Sequence, residues 1–144
     1  MLETILNNIP QREPFLFIEN IVERSDNSIT TSQKLTGEED YFRGHFPGRP
    51  VFPGVLMCEA VFQTGALLMS LKGTGADANK TAVVTRIQNA KFKNMARPGD
   101  TLLITVDFIE MLANAAYMKG KIKANDKLIM SIEFACALVE NGEE

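Results

Sequence analysis

Two side chains in this sequence have the chemistry of a general acid–base pair, and the first is His45. It is the only histidine in the chain and lies in the segment GHFPGRPVFPG, residues 44–54. An imidazole titrates near neutrality and is the side chain most often used to move protons in catalysis. The glycines and prolines around it predict a rigid loop of special backbone geometry, which is costly unless it holds something in place. A histidine in a turn is also often a polar surface residue, so both interpretations stay open on the pattern alone.

Glu59 is the second candidate, because it lies inside the apolar segment Gly54–Leu71. An unpaired carboxylate in an apolar interior is expensive, and the usual response is a raised pKa or a dedicated partner. Gln63 lies four residues later on the same helix face and could orient the carboxyl group. The alternative is that Glu59 lies at a helix end or in a groove and is simply solvated.

Gly54 offers a third element of a site. Its backbone N–H can approach a ligand closely, at the positive end of the helix dipole, and could stabilise a carbonyl that becomes enolate-like. The Pro-Gly pair at 53–54 is also an ordinary helix start. A metal centre is not expected, because one histidine and two distant cysteines cannot form a metal cluster, and we expect no cofactor.

The elements that must position these residues are one long helix and a sheet. Gly54–Leu71 is apolar on nearly every face, which predicts burial on nearly every face over a length of about 27 Å. Upstream, the patterns predict a short helix over 2–7, a hairpin of strands over 15–24 and 29–35, and a structured loop over 36–53. Downstream, they predict strands over 81–92, 101–110, 115–124 and 128–139. This order predicts a single α+β domain, residues 1–144, in which a curved, mostly antiparallel sheet wraps around one central helix.

Composition and charge argue against several classes of protein. The 144 residues are 45% hydrophobic and 23% charged, which is typical of a soluble globular protein. The net charge of −3 gives no basis for binding nucleic acid. Pro53, Glu59 and Gln63 interrupt the long apolar stretch, which favours a core helix over a membrane span. We expect Cys58 and Cys136 to be reduced core residues of a cytoplasmic protein, and the N-terminus does not have the pattern of a secretory signal.

The segment GHFPGRPVFPGVLMCEAVFQ, residues 44–63, closely resembles the signature of the FabZ-type 3-hydroxyacyl-acyl-carrier-protein dehydratases. That signature couples a histidine in an HFPG turn to a glutamate fourteen residues later, here His45 and Glu59. The resemblance extends through IPQREPFLFIENI, NAKFKNMARPGD and EFACALVE and covers nearly the whole chain. It implies the hot-dog fold and a homodimer whose sites each take the histidine from one subunit and the glutamate from the other. Hexamers built as trimers of such dimers are common in the family.

The resemblance also implies a reaction. His45 would remove a proton from Cα of a 3-hydroxyacyl thioester carried by acyl-carrier protein, and Glu59, held by Gln63, would protonate or polarise the departing 3-hydroxyl. The N–H of Gly54 would bind the thioester carbonyl. Related dehydratase–isomerases carry aspartate at the place of Glu59, which favours dehydration to the trans-2-enoyl thioester without isomerisation. The acyl tunnel would be lined by apolar residues near Phe46, Phe52 and Leu56.

Some positions depart from the family pattern. Gln11 stands where many members have a histidine, and Arg86 and Gln88 stand where relatives often have glycine and aspartate. These departures leave the His45–Glu59 pair untouched but bear on substrate length, so a specialised member for a polyketide or aryl-polyene type pathway is an alternative.

Two other functions remain open from the sequence. A hot-dog acyl thioesterase would hydrolyse the same thioesters, but such enzymes usually lack the HFPG histidine turn. A non-catalytic acyl-binding or regulatory hot-dog protein normally carries an added DNA-binding domain, for which 144 residues leave no space.

Overall fold

The computed structural model describes residues 2–73 and 80–140. The helices are α1 (Leu2–Asn8), α2 (Tyr41–Gly44) and α3 (Gly54–Leu71). The strands are β1 (Asn20–Arg24), β2 (Ser28–Lys34), β3 (Lys80–Phe92), β4 (Thr101–Leu112), β5 (Ala115–Ala124) and β6 (Lys127–Glu140). They form one antiparallel sheet in the order β1-β2-β4-β5-β6-β3, which is open at both edges and packs against α3. The predicted arrangement of one central helix and one sheet is confirmed.

The central helix α3 has the predicted bounds. Pro53 precedes it in an extended conformation, and Gly73 follows it with a φ of +81°, a left-handed conformation that glycine adopts without strain. The prediction that it is buried on nearly every face is wrong, because nine of its 18 residues are buried and Val55 is 78% exposed. The open sheet covers one side of α3, and the residues of the other side are half-buried except for the exposed Val55. The length and mean hydropathy of α3, 1.5, would also suit a membrane span, yet half of it is packed inside the domain.

Alternating side chains in the later strands divide the core from the surface. Leu102, Ile104 and Val106 of β4 are fully buried, and the last two pair with Ile122 and Gly120 of β5. The alternating lysines of β5, at positions 119, 121 and 123, are exposed. A tight hairpin turn joins β5 to β6, and both of its residues, at positions 125 and 126, have positive φ.

The predicted strand over 15–24 begins only at Asn20, and the reason is a long-range contact. The backbone N–H of Phe17 donates to the side chain of Gln63, and the backbone C=O of Phe15 accepts from it, each over 2.9 Å. These peptide groups are therefore satisfied by α3 instead of a neighbouring strand. The predicted loop over 36–53 likewise contains the short helix α2.

Strand β3 forms one edge of the sheet and carries exposed apolar side chains. Among the described residues it pairs with β6 alone, and its burial pattern shows no buried position. Val83, Ile87 and Phe92 are 38%, 53% and 52% exposed. Two register shifts interrupt the ladder, and Asn89 has a φ of +53° at the second. A long apolar edge strand of this kind is a template for pairing with another chain.

Candidate active site

His45 directly follows α2, and its imidazole is held by the backbone of the loop that leads to α3. The N–H of Val51 donates to the C=O of His45 over 2.8 Å, and the ring Nδ1 lies 2.9 Å from the C=O of Val51. A carbonyl oxygen can only accept, so Nδ1 carries the proton in the neutral ring. The lone pair of Nε2 is then free to accept a proton, as a general base requires.

The loop also places Phe46 against the imidazole. The two rings stack with their centroids 4.2 Å apart and an interplanar angle of 25°. Reciprocal backbone hydrogen bonds between Phe46 and Arg49 close a tight turn, and the His45–Phe46 peptide bond is cis. His45 is half-buried and Phe46 is 47% exposed, so the ring pair lies at the surface of the single chain.

Glu59 lies in the second turn of α3 and is half-buried. Burial raises the pKa of its carboxyl group, and a hydrogen bond of 3.0 Å from Nε2 of Gln63 to Oε2 partly opposes this rise. The predicted contact between Gln63 and Glu59 is therefore confirmed. The carboxyl group is neither fully buried nor freely solvated, which suits a group that gives up a proton to a substrate at the surface of the helix.

Gln63 is 1% exposed, and its amide makes three hydrogen bonds. Oε1 accepts from the N–H of Phe17, while Nε2 donates to the C=O of Phe15 and to Glu59. Because a backbone N–H can only donate, the amide cannot be flipped without losing its bonds. The sequence did not predict that the backbone of Phe15 and Phe17 would hold the amide of Gln63, because these residues are 46 to 48 positions away from it.

Gly54 is the first residue of α3, where the backbone N–H groups have no acceptor within the helix. The ring of Phe92, the last residue of β3, lies over it. A Cβ atom placed on Gly54 would lie 3.1 Å from Cε1 of Phe92, closer than ordinary van der Waals contact. An aromatic ring thus walls the helix tip on the side where a side chain would stand. Phe92 was not predicted from the sequence, where it is simply an apolar residue of a strand.

The apolar residues predicted to line an acyl tunnel lie in different surroundings. Phe52 is 1% exposed and packs in the core against Tyr41, with their ring centroids 5.3 Å apart. Leu56 is half-buried on α3. Phe46 lines an open groove in which neither Phe52 nor Leu56 takes part. The acyl tunnel therefore stays a prediction.

His45 and Glu59 do not meet within one chain. Among the described residues, no hydrogen bond or ion pair joins the imidazole to the carboxyl group. The pKa of Glu59 is moved by burial and by Gln63, with no contribution from His45. No group of three metal-ligating side chains occurs in the part of the chain that the structure describes.

Comparison with known proteins places the chain among dehydratases. A family model described as a FabA-like domain matches residues 9–133. The 3-hydroxyacyl-[acyl-carrier-protein] dehydratase FabZ of Caulobacter vibrioides is 40% identical over 139 residues, 96% of this chain and 87% of that protein. The protein of the same name from Syntrophomonas wolfei subsp. wolfei is 40% identical, over 94% of each chain.

Solved structures show the same fold at low sequence identity. A chain of the dehydratase heterocomplex ApeI:P from Xenorhabdus doucetiae superposes with a TM-score of 0.80 at 12% identity, covering 96% of this chain and 93% of that one. The protein smu.793 of Streptococcus mutans, bound to acetyl CoA, gives a TM-score of 0.68 at 14% identity, covering 93% and 98%.

Proposed function

The chain belongs to the FabA-like family, with FabZ 3-hydroxyacyl-acyl-carrier-protein dehydratases as its relatives, and from this membership we propose that it dehydrates 3-hydroxyacyl-acyl-carrier-protein thioesters in fatty-acid biosynthesis. The supporting observation is a pair of side chains, one suited to accept a proton and the other suited to donate one. His45 has a free Nε2 that can take a proton, and Glu59 has a pKa raised by burial that favours keeping one. The chain has the hot-dog fold, which agrees with this function.

In the proposed reaction, Nε2 of His45 removes a proton from Cα of the substrate. The electron pair forms the Cα–Cβ double bond as the bond from Cβ to the 3-hydroxyl breaks. Glu59 supplies the proton with which the hydroxyl leaves as water, and the N–H of Gly54 stabilises charge on the thioester oxygen. The product is the trans-2-enoyl thioester, and each positioned acid–base group contributes roughly 10²–10⁴ in rate.

We further propose that the catalytic unit is a homodimer with sites shared between subunits. Among the described residues, no hydrogen bond or ion pair joins His45 to Glu59 within one chain. The 13-residue edge strand β3 offers a second copy the exposed apolar side chains of Val83, Ile87 and Phe92. We extend this proposal to a trimer of such dimers, and to a protein that acts in the cytoplasm. The free cysteines Cys58 and Cys136, one half-buried and one buried, agree with a reducing compartment.

The reaction is tested with the purified full chain and 3-hydroxyacyl thioesters of acyl-carrier protein. We expect formation of the conjugated enoyl thioester, followed by its absorbance, with no release of free thiol. Free thiol without an enoyl product would instead identify the hot-dog thioesterase, the competing function for this fold. A series of acyl chain lengths in the same assay tests whether Gln11, Arg86 and Gln88 mark a specialised substrate.

The shared site is tested by mixing two inactive variants, His45→Ala and Glu59→Gln. A mixed dimer has one site with both changes and one site with neither. Random exchange of subunits should therefore restore roughly a quarter of wild-type activity, because half of the dimers are mixed and each has one intact site of two. Activity that stays at the level of the separate variants after proven subunit exchange would mean that each site lies within one chain.

A further inference from the structure

A groove of about 580 Å³ opens beside the catalytic loop and has an unusual lining. Its walls are apolar and include Phe46, Val51 and Met95. The charged residues among its lining are Arg49 and Arg97, and none of the described residues that line it carries a carboxylate. In a chain with a net charge of −3, this local excess of positive charge indicates an anionic ligand.

Both guanidinium groups are available to such a ligand. Neither forms an ion pair among residues 2–73 and 80–140. The side chain of Arg97 contacts Sδ of Met95 over 3.2 Å, and a thioether is only a weak acceptor. The nearby carboxylate of Asp100 is already used, since it accepts from the backbone N–H of Arg97 and from the side chain of Asn125.

The groove lies beside the catalytic imidazole. Phe46, one of its lining residues, stacks on the ring of His45 with the ring centroids 4.2 Å apart. Val51, which also lines the groove, accepts the hydrogen bond that sets the tautomer of His45. A ligand lying in the groove would therefore contact the two residues, Phe46 and Val51, that hold the ring of His45.

We propose that this groove binds the phosphopantetheine arm of the acyl carrier, with Arg49 and Arg97 holding its phosphate. The inference rests on the proposed function, which makes the substrate a carrier thioester. That arm consists of neutral amides and apolar carbon, and its one fixed charge is the phosphate at the carrier end. Guanidinium groups match phosphate oxygens in geometry and charge, while the apolar floor suits the remainder of the arm.

The proposal predicts a dependence on the phosphate that can be measured without the carrier protein. Two substrates with the same 3-hydroxyacyl group are compared, one a thioester of pantetheine and the other of 4′-phosphopantetheine. In Arg49→Gln and Arg97→Gln, kcat/KM for the phosphorylated substrate should fall by about 3- to 10-fold, and kcat/KM for the other by less than about twofold. The loss should lie in KM, because the phosphate is remote from the bond that breaks.

Arg43→Gln is the matched control, since Arg43 is an exposed arginine two residues from His45 that pairs with Asp40. It should leave the preference for the phosphorylated substrate unchanged. Arg97→Lys should keep part of that preference, because the charge remains while the paired hydrogen bonds are lost. An equal loss for both substrates, or no loss for either, would overturn the assignment.

Calorimetric binding of 4′-phosphopantetheine and of pantetheine separates this proposal from the proposed function. Tighter binding of the phosphorylated arm by the wild type, abolished in the double variant of Arg49 and Arg97, supports the groove even if no thioester is dehydrated. Equal binding of the two arms by the wild type refutes the phosphate site, whatever the turnover.

Discussion

The two halves of α3 are both built from largely apolar sequence, yet they have different surroundings. Among residues 54–62 three are buried, and among residues 63–71 six are buried. In the second half, Leu67, Leu68 and Met69 are at most 1% exposed and fill the core. In the first half, Val55 is 78% exposed and Glu59 is half-buried.

The difference teaches that apolar composition alone does not identify core. The second half buries a polar group with its hydrogen bonds complete, since Thr64 bonds to Thr31 over 2.9 Å and to the C=O of Ala60. The first half keeps Glu59 half-buried, at a surface that substrate and a second subunit would cover under the proposed function. The second half therefore stabilises the fold, and we propose that the first half carries the proton donor.

The largest expected effect is that of Glu59→Gln on turnover. Replacing the acid by an amide should lower kcat by about 10²–10⁴, because the leaving hydroxyl loses its proton donor. The matched change in the second half, Thr64→Val, should keep kcat but lower the free energy of unfolding by about 1–3 kcal/mol, since the hydroxyl of Thr31 loses its partner. Dehydration assays and urea unfolding of both variants measure this contrast. If Glu59→Gln turns over substrate at the wild-type rate, Glu59 is not the proton donor and the first half of α3 has no chemical role.

A second test adds a methyl group to the buried half. In Gly65→Ala, the new Cβ would lie 2.8 Å from Cζ of Phe134 and 3.3 Å from Sδ of Met118. The overpacking should lower the free energy of unfolding by about 1–3 kcal/mol. A second change, Phe134→Leu, should relieve part of that loss, and urea unfolding of the single and double variants measures the coupling. Full stability of Gly65→Ala would show that this half is packed more loosely than its burial indicates.

The same methyl group at the helix tip should act on catalysis instead. In Gly54→Ala the neighbour is the half-exposed ring of Phe92, which can move into solvent, so stability should change little. We expect kcat/KM to fall about tenfold, because the added methyl group shifts the ring of Phe92, and the shifted ring disturbs the position of the substrate's thioester carbonyl at the helix tip. In a Phe92→Ala background the effect of Gly54→Ala should be less than about twofold. Equal effects in both backgrounds would mean that Phe92 does not shape the site.

The smallest effect concerns pH. Burial raises the pKa of Glu59 in the folded state, so between its unfolded and folded pKa values the folded state binds more protons. Its contribution to the free energy of unfolding is thus present at low pH and lost as pH rises through the folded pKa. Glu59→Gln removes this titration, so its stability relative to wild type should rise as the pH is raised from the unfolded pKa of Glu59 through its higher folded pKa. Urea unfolding at several pH values measures this difference, and a flat difference contradicts it.

The sequence was sufficient for the parts of the fold that depend on local chemistry. The bounds of α3 followed from Pro53 and from the apolar run up to Lys72, and β5 followed from strict alternation. His45 and Glu59 stood out because each is a costly residue type in its setting. The hydrogen bond from Gln63 to Glu59 followed from helical spacing.

The parts that could not be predicted depend on contacts between distant residues. The strand over 15–24 was overestimated because Gln63, more than 45 residues away, takes the backbone groups of Phe15 and Phe17. The place of Phe92 over Gly54 depends on where β3 ends after its register shift. Burial of α3 was overestimated because composition does not say whether a sheet closes around a helix.

The three-way hydrogen bonding of Gln63 makes the two carboxyl oxygens of Glu59 unequal. Oε2 always faces an N–H donor, and a carbonyl-type oxygen is the better acceptor for it. When the acid is neutral, its hydrogen is therefore favoured on Oε1, the oxygen that Gln63 leaves free. Through Gln63, the backbone at Phe15 and Phe17 thus selects the oxygen from which a proton would be delivered in the proposed reaction.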